Sequence, residues 1–231
     1  MYGYYYYYDP TYILVLIGLL LGIAASVGVK TTYGKYSKVY NARGLTAAEV
    51  AERILLNAGI SDVAIEEVSG ELTDHYSPKE KVLRLSSSVY HSRTVGSIGV
   101  AAHECGHAIQ HANGYIPITI RNTIYPVVSI GNHLAIPLVV FGLALSMTGL
   151  IQIGILLFVA VVAFQVITLP VEFNASRRAI RILADGDYLD TEELRGAKAV
   201  LRAAAMTYVA ATIAAALQLL RLVLLSKRRR R

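Results

Sequence analysis

The sequence predicts a mainly α-helical membrane protein with three to four transmembrane helices and one hydrophilic α+β body. Hydrophobic residues make up 55% of the 231 residues, and the mean hydropathy is +0.48. This composition is too apolar for an ordinary soluble domain, and the apolar residues are concentrated in blocks. The net charge of +6 also indicates a membrane protein, because it arises partly from the basic tail at residues 226–231, which suits acidic lipid headgroups better than nucleic acid. The expected partner is therefore the lipid bilayer, with no nucleic acid.

The apolar blocks are long enough to cross a membrane. Residues 12–29 form an 18-residue run without charge, which suffices for one span at a helical rise of about 1.5 Å per residue. Residues 134–171 contain no charged residue or histidine, and the break at residues 146–149 predicts a hairpin of two spans. Residues 203–220 form a fourth uncharged but Ala-rich stretch. This stretch is either a span, a re-entrant or interfacial helix, or a helix buried against the others.

Basic residues predict the orientation of these segments. Of the 22 Lys and Arg residues, ten lie in residues 30–132, six lie in residues 170–202, and none precedes residue 30. The positive-inside rule then places both regions in the cytoplasm and the N-terminus outside, although a fourth span would carry the basic tail outside against that rule. The predicted organisation is an N-terminal segment with the first transmembrane helix (1–29), a cytoplasmic body (30–132), a transmembrane hairpin (133–171), a cytoplasmic helix (172–202) and a fourth transmembrane or interfacial helix with the basic tail (203–231).

The hydrophilic body begins with an amphipathic helix. Residues 45–58 carry apolar side chains at helical spacing, with Thr46 as the cap, Glu49 three residues on, and Gly59 as the stop signal. Alternating residues 63–68 and 81–85 then predict two short strands, with a turn at 77–79 and a short helix at 87–90 after them. An edge strand beside the following helix could bind an extended peptide through main-chain hydrogen bonds.

The segment His103-Glu104-Cys105-Gly106-His107 carries the predicted chemistry. Residues i and i+4 share a helical face, so both histidines can bind one metal ion while Glu104 reaches a water on that metal. Such a string can also arise by chance on a solvated helix, but the preceding residues 95–102 are almost wholly apolar and predict a buried helix. Burial of three polar side chains would be costly without a metal partner. Cys105, the only cysteine, is interpreted as core filler.

A zinc site needs a third protein ligand. His111 continues the i+4 series, but it lies about 12 Å along the helix from His103 and is expected at the helix end or beyond the ligands. Glu172 is the better candidate, because it is a carboxylate that directly follows a long uncharged run. Its alternative role is an interfacial ion pair with Arg177 or Arg178.

Polar residues before the predicted turn are further candidates. One of Asp74, His75 and Tyr76 could contact substrate or a developing oxyanion, although polar loop residues are usually only solvated. The sequence leaves these alternatives open.

Three segments carry a family resemblance. Residues 70–76 (GELTDHY), 101–110 (AAHECGHAIQ) and 169–178 (LPVEFNASRR) resemble the bacterial membrane-embedded neutral zinc metallopeptidases of the YugP-like family, over nearly the whole chain. The arrangement is more distantly similar to HtpX-like and Ste24-like endopeptidases, in which a Glu opening a later helix is the third ligand and an Asp four residues on supports the site. This resemblance implies a gluzincin-type, zincin-like body in which Glu172 binds zinc. Ser176 stands where those enzymes have Asp, so its hydroxyl, Asn174 or another group would take the supporting role.

The combined prediction is a multi-pass membrane zinc endopeptidase with its active site on the cytoplasmic side. One Zn²⁺ per chain would be held by His103, His107 and Glu172 and would activate a water for amide hydrolysis, with Glu104 as the proton acceptor. The expected partner is a peptide or protein substrate, with membrane or misfolded proteins suggested by resemblance alone. A non-catalytic protein braced by structural zinc is the main alternative, and a transporter is disfavoured because the uncharged spans hold no ionisable residue.

Overall fold

The computed structural model describes residues 9–228 and is mostly helical with one small sheet. The elements are α1 (Tyr12–Tyr36), α2 (Ala47–Asn57), β1 (Ala64–Val68), β2 (His75–Ser77), β3 (Val82–Ser86), α3 (Ser87–Tyr90), α4 (Val95–Ala112), α5 (Ile116–Ala144), α6 (Thr148–Asp185) and α7 (Thr191–Arg228). Within the described residues, α1, α5, α6 and α7 are long and apolar enough to cross a membrane. The tyrosine run at residues 4–8 and the tail arginines at residues 229–231 lie outside the described part of the chain.

The chain divides into two compact units. The first unit comprises, as far as described, residues 9–24, 124–166 and 209–228, and the second comprises residues 25–123 and 167–208. In the first unit α5 and α6 form the predicted hairpin, whose turn contains Ser146 in the left-handed region at φ +62°. The two helices approach closely at Gly154, where a Cβ would lie 2.7 Å from the carbonyl oxygen of Ala135. The structure therefore has two helices joined by a turn at the predicted break.

Helix α2 forms where the cap signals place it. Thr46 accepts a hydrogen bond from the Glu49 amide, and the Glu49 carboxylate accepts one from the Thr46 amide, so the predicted capping box is present. Gly59 follows the helix with φ +73°, a left-handed conformation that a glycine adopts without steric cost. The apolar face of α2 packs on α4, where Cys105 is fully buried as the predicted core filler, and burial raises the pKa of its thiol.

The small sheet has the order β1-β3-β2. Strand β3 is central and mostly buried, pairs parallel with β1 and pairs antiparallel with β2. The two predicted strands are confirmed as β1 and β3, but β2 was not predicted. Its three residues, His75–Ser77, are too short to show an alternating pattern, and the sequence predicts His75 and Tyr76 before a turn and Ser77 within it. Strand β2 forms one edge of the sheet and contacts α4.

Three helix boundaries differ from the prediction. Helix α5 begins at Ile116, so residues 116–132, which had been assigned to the hydrophilic body, belong to a long helix. Helix α6 continues through Pro170, so Glu172 lies inside that helix and does not open a new one. The predicted helix at residues 172–202 is instead the end of α6 and the start of α7, joined by a turn in which Asp187 has φ +53°. Composition marked the apolar blocks but could not show that the helices extend beyond them.

Candidate metal centre

Helix α4 directs two imidazole rings toward one carboxylate of α6. The rings of His103 and His107, one turn apart, have centroids 4.7 Å from each other and planes at 83°. Nε2 of His103 lies 3.2 Å from Oε2 of Glu172, and Nε2 of His107 lies 3.6 Å from the same oxygen. The ligand atoms of the three residues all lie within 4.8 Å of one another. The structure therefore brings together the three residues predicted as metal ligands.

A glycine allows α4 to approach α6 closely. Gly106 lies between the two histidines, and a Cβ at this position would lie 2.7 Å from the carbonyl oxygen of Ala175 in α6. Ala175 is itself fully buried, so neither backbone has free space beside it. A larger residue at position 106 would separate the helices that carry His103, His107 and Glu172. Part of the geometry of the cluster is thus encoded within the motif itself.

A chain of buried amides sets the tautomer of His107. Its Nδ1 lies 3.0 Å from Oε1 of Gln110, and Nε2 of Gln110 donates to the carbonyl of Val171 at 2.9 Å and to Oδ1 of Asn174 at 3.0 Å. The same Asn174 oxygen accepts a hydrogen bond from Nε of Arg178 at 2.7 Å. Because the Gln110 nitrogen is committed as a donor, its oxygen must accept, and Nδ1 of His107 carries the proton. The lone pair of Nε2 then points toward Glu172, as a metal ligand requires.

Ser176 occupies the corresponding place beside His103. Its Oγ lies 3.2 Å from Nδ1 of His103, so the hydroxyl can accept the Nδ1 proton and leave Nε2 as the free lone pair. The sequence leaves the supporting role open among Ser176, Asn174 and another group. The structure places Ser176 against His103 and Asn174 against Gln110, so each supports a different imidazole.

The carboxylate of Glu172 is buried and incompletely paired. The residue is 1% exposed, and within residues 9–228 its Oε1 has no hydrogen-bond partner, with Nη1 of Arg121 at 3.5 Å. Burial lowers the pKa of His107, but the hydrogen bond to Glu172 and the charges of Glu104 and Glu172 more than offset this and raise it. The carboxylates therefore attract positive charge to the point where the imidazoles converge.

The donor set at this point fits zinc. Two imidazole nitrogens and one carboxylate oxygen are common zinc ligands, and three protein ligands leave a fourth coordination position. Both histidines have a hydrogen-bond partner on the nitrogen that faces away from Glu172, the arrangement that metal-binding imidazoles usually show. A structural zinc site usually closes with four protein ligands, and within residues 9–228 this group contains three.

Glu104 lines a cavity together with the candidate ligands. It is half-buried and, together with His103 and Glu172, lines a polar cavity of about 200 Å³. Arg121 of α5 lines the same cavity. The carboxylate that was predicted as the proton acceptor therefore shares a cavity with the candidate ligands.

The predicted loop residues His75 and Tyr76 belong to β2 and line this polar cavity. Nδ1 of His75 lies 2.9 Å from the carbonyl oxygen of Thr73, and the Tyr76 hydroxyl lies 3.4 Å from Nδ1 of His111. His111 is exposed and is not a member of the His103, His107 and Glu172 group. Its placement agrees with the expectation that it is too far along α4 to share the metal.

Asp74 also lines the polar cavity, and its carboxylate is in addition hydrogen-bonded to the end of β3. Its carboxylate accepts hydrogen bonds from the Ser86 amide at 2.8 Å and from the Ser86 hydroxyl at 3.1 Å. Burial raises the pKa of Asp74, although these hydrogen bonds oppose the shift. Asp74 therefore ties the segment before β2 to the end of β3.

Sequence reasoning missed three residues of the site. Gln110 and Arg121 contact His107 and Glu172 respectively, and Tyr208 of α7 lines the same cavity as Glu104. A weak signal existed for Gln110, since residues i and i+3 face each other on a helix and an amide there can accept from a histidine. Arg121 and Tyr208 gave no signal, because their proximity to the cluster depends on how α5 and α7 pack.

The described residues thus combine four helices of membrane-spanning length and composition with a largely buried His-His-Glu group whose donor atoms could hold a metal ion. The chain belongs to the family described as "Putative neutral zinc metallopeptidase", whose model matches residues 11–227. It is similar to "Putative membrane protease YugP" of Bacillus subtilis (strain 168), with 46% identity over 212 residues that cover 92% of this chain and 94% of the relative. No solved structure matches the chain. The family predicted from the three sequence segments is therefore confirmed.

Proposed function

We propose that this protein is a membrane-embedded zinc endopeptidase that hydrolyses peptide bonds with Glu104 as the proton acceptor. The observation that carries the proposal is the convergence of the His103 and His107 Nε2 atoms on one buried oxygen of Glu172. The description of the family and the name of the relative from Bacillus subtilis agree with this chemistry.

The three ligand residues hold one zinc ion per chain, and their partners fix their orientation. Ser176 and Gln110 accept the Nδ1 protons of His103 and His107, so the Nε2 lone pairs remain free for the metal. Arg121 forms an ion pair with the other carboxylate oxygen, Oε1 of Glu172. When bound, zinc activates a water and polarises the carbonyl of the scissile bond. The separate partner of each ligand matters, because a loosely held ligand binds metal more weakly.

Glu104 moves the proton during hydrolysis. Its carboxylate accepts a proton from the attacking water and passes it to the nitrogen of the departing amine. The position of Glu104 in the cavity shared with His103 and Glu172 supports this role. His75 and Tyr76 line the same cavity, and their strand β2 is an edge strand that could pair with an extended peptide chain.

The membrane arrangement that we propose has four spans and a cytoplasmic, gluzincin-type body. The four apolar helices support the number of spans. Sixteen of the 22 basic residues flank the hairpin, ten in residues 30–132 and six in residues 170–202, and they support the cytoplasmic location. Glu172 follows the apolar part of α6 directly, so the site would lie close to the bilayer. Membrane proteins or misfolded proteins are the substrates that this location favours.

The experiment compares the full-length wild type with Glu104→Gln for bound zinc and for cleavage of casein. The substitution keeps the shape of the side chain and removes the proton acceptor, so zinc content stays near wild type while hydrolysis falls by at least about 10²-fold. Full activity in Glu104→Gln would contradict the mechanism. Absence of cleavage in the wild type, together with unfolding on zinc removal, would favour a purely structural zinc.

A further inference from the structure

A second cavity adjoins the candidate metal centre within the second unit. Its volume is about 180 Å³, and it shares with the polar cavity the residues Asp74, His103, Glu104, Glu172 and Tyr208. The two cavities therefore meet at the candidate ligands and at the predicted proton acceptor. A peptide bond positioned at that junction would be next to both cavities.

The second cavity has a different wall from the first. Beyond the shared residues it is formed mainly by Val100 of α4 and by Val200, Leu201, Ala204 and Ala205 of α7, and Ser176 also lines it. The polar cavity instead presents His75, Arg121 and Asn122. The site is thus chemically asymmetric about the cluster.

We propose that the apolar cavity is a specificity subsite that receives one apolar side chain of the residue flanking the scissile bond. This inference rests on the proposed endopeptidase function and names the substrate class on which it acts. A cavity of about 180 Å³ is smaller than ligand pockets, which usually span about 300–1,000 Å³, so it suits one side chain. A charged side chain that reached the α7 wall, away from the residues shared with the polar cavity, would lose its hydration, since the valine, leucine and alanine side chains there offer no hydrogen bond.

The small residues of α7 set the depth of the subsite. Ala204 and Ala205 form its wall where a larger side chain would fill the space, and Val200 and Leu201 are nearly fully buried beside them. Residues such as Leu, Ile, Val, Met and Phe would bury their apolar surface in this space. Peptide segments rich in these residues occur in membrane proteins and in unfolded chains, the substrates that the proposed location favours.

The experiment uses full-length protein in detergent with matched peptides that differ at one position beside the cleaved bond. Cleavage products are identified by mass spectrometry, and kcat/KM is measured for Leu, Ala, Asp and Lys at that position. We expect Leu to exceed Ala by at least about 10-fold, because each methylene lost from an apolar subsite costs about 10-fold or more. Peptides with Asp or Lys should be cleaved more slowly still.

Two variants connect this preference to the cavity. Ala204→Leu should reduce kcat/KM for the Leu peptide at least about 10-fold and favour the Ala peptide, with zinc content unchanged. Ala211→Leu is the matched control, because Ala211 is an exposed alanine on the same helix and does not line the cavity. It should retain the wild-type preference.

A measurement of peptide binding without cleavage tests the subsite independently of the proposed peptidase activity. The full-length Glu104→Gln variant should bind a fluorescent Leu peptide more tightly than the Asp peptide. Cleavage without any preference for apolar residues, or an unchanged preference in Ala204→Leu, would overturn the subsite and leave the peptidase intact. Preferential binding of the Leu peptide without cleavage by the wild type would overturn the peptidase and retain the subsite. Absence of both binding and cleavage for every peptide would overturn both.

Discussion

Gly106 of α4 lies so close to Ala175 of α6 that a Cβ on the glycine would lie 2.7 Å from the Ala175 carbonyl oxygen. This contact joins the helix that carries His103 and His107 to the helix that carries Glu172. The two helices can therefore approach this closely at the cluster only because residue 106 has no side chain.

The first prediction follows from this contact. Gly106→Ala should force α4 and α6 apart and lower bound zinc to below about half of the wild-type content, because ligand bonds of about 2 Å tolerate little displacement. Metal analysis of the purified protein measures the effect. Gly28→Ala is the control, since an added Cβ at Gly28 in α1 meets nothing within 4 Å. Wild-type zinc content in Gly106→Ala would show that the close approach is not required.

The second prediction concerns the amide that orients His107. Gln110→Leu keeps the size of the side chain but removes the acceptor for Nδ1, so zinc affinity should fall by roughly 10–100-fold. Competition with a chelator gives this affinity. The same substitution at Gln152, which is exposed on α6, should leave the affinity unchanged. Equal affinities for the two variants would mean that Gln110 does not support the metal.

The sequence predicted the local features of this site well. The i, i+4 spacing of His103 and His107 is a property of a single helix, and so is the capping box of Thr46 and Glu49. Glu172 could also be proposed, because a carboxylate that directly follows an uncharged apolar run is unusual. Each of these features depends on a short stretch of chain.

The remainder of the site depends on contacts between distant segments. Gln110 acquires its role through Val171 and Asn174, which belong to another helix, and Arg121 reaches Glu172 only because α5 begins at Ile116. The start of α5 could not be recognised from hydropathy, since Arg121 and His133 interrupt its apolar pattern and Pro126 resembles a helix breaker. The family resemblance suggested residues for the site but not these supporting contacts.

The third prediction concerns the side of the membrane on which the body lies. A cysteine introduced at the exposed Ser87 should react with an impermeant thiol reagent only after cells are opened, because the positive-inside rule places residues 30–132 in the cytoplasm. Cys105→Ala provides the background, and Cys105 itself is fully buried. A second cysteine at Ser226 should be labelled in intact cells if α7 spans the membrane. Labelling of Ser87→Cys in intact cells would reverse the proposed orientation.

The zinc content of Glu172→Ala, measured beside His111→Ala, tests the central claim most directly. Glu172 offers its Oε2 to both imidazoles from a buried position, whereas the exposed His111 contacts Tyr76 and lies outside the ligand group. We predict that Glu172→Ala loses most bound zinc and all hydrolysis, while His111→Ala retains about one zinc per chain and measurable hydrolysis. Loss of zinc from His111→Ala with zinc retained by Glu172→Ala would contradict the ligand assignment and the mechanism built on it.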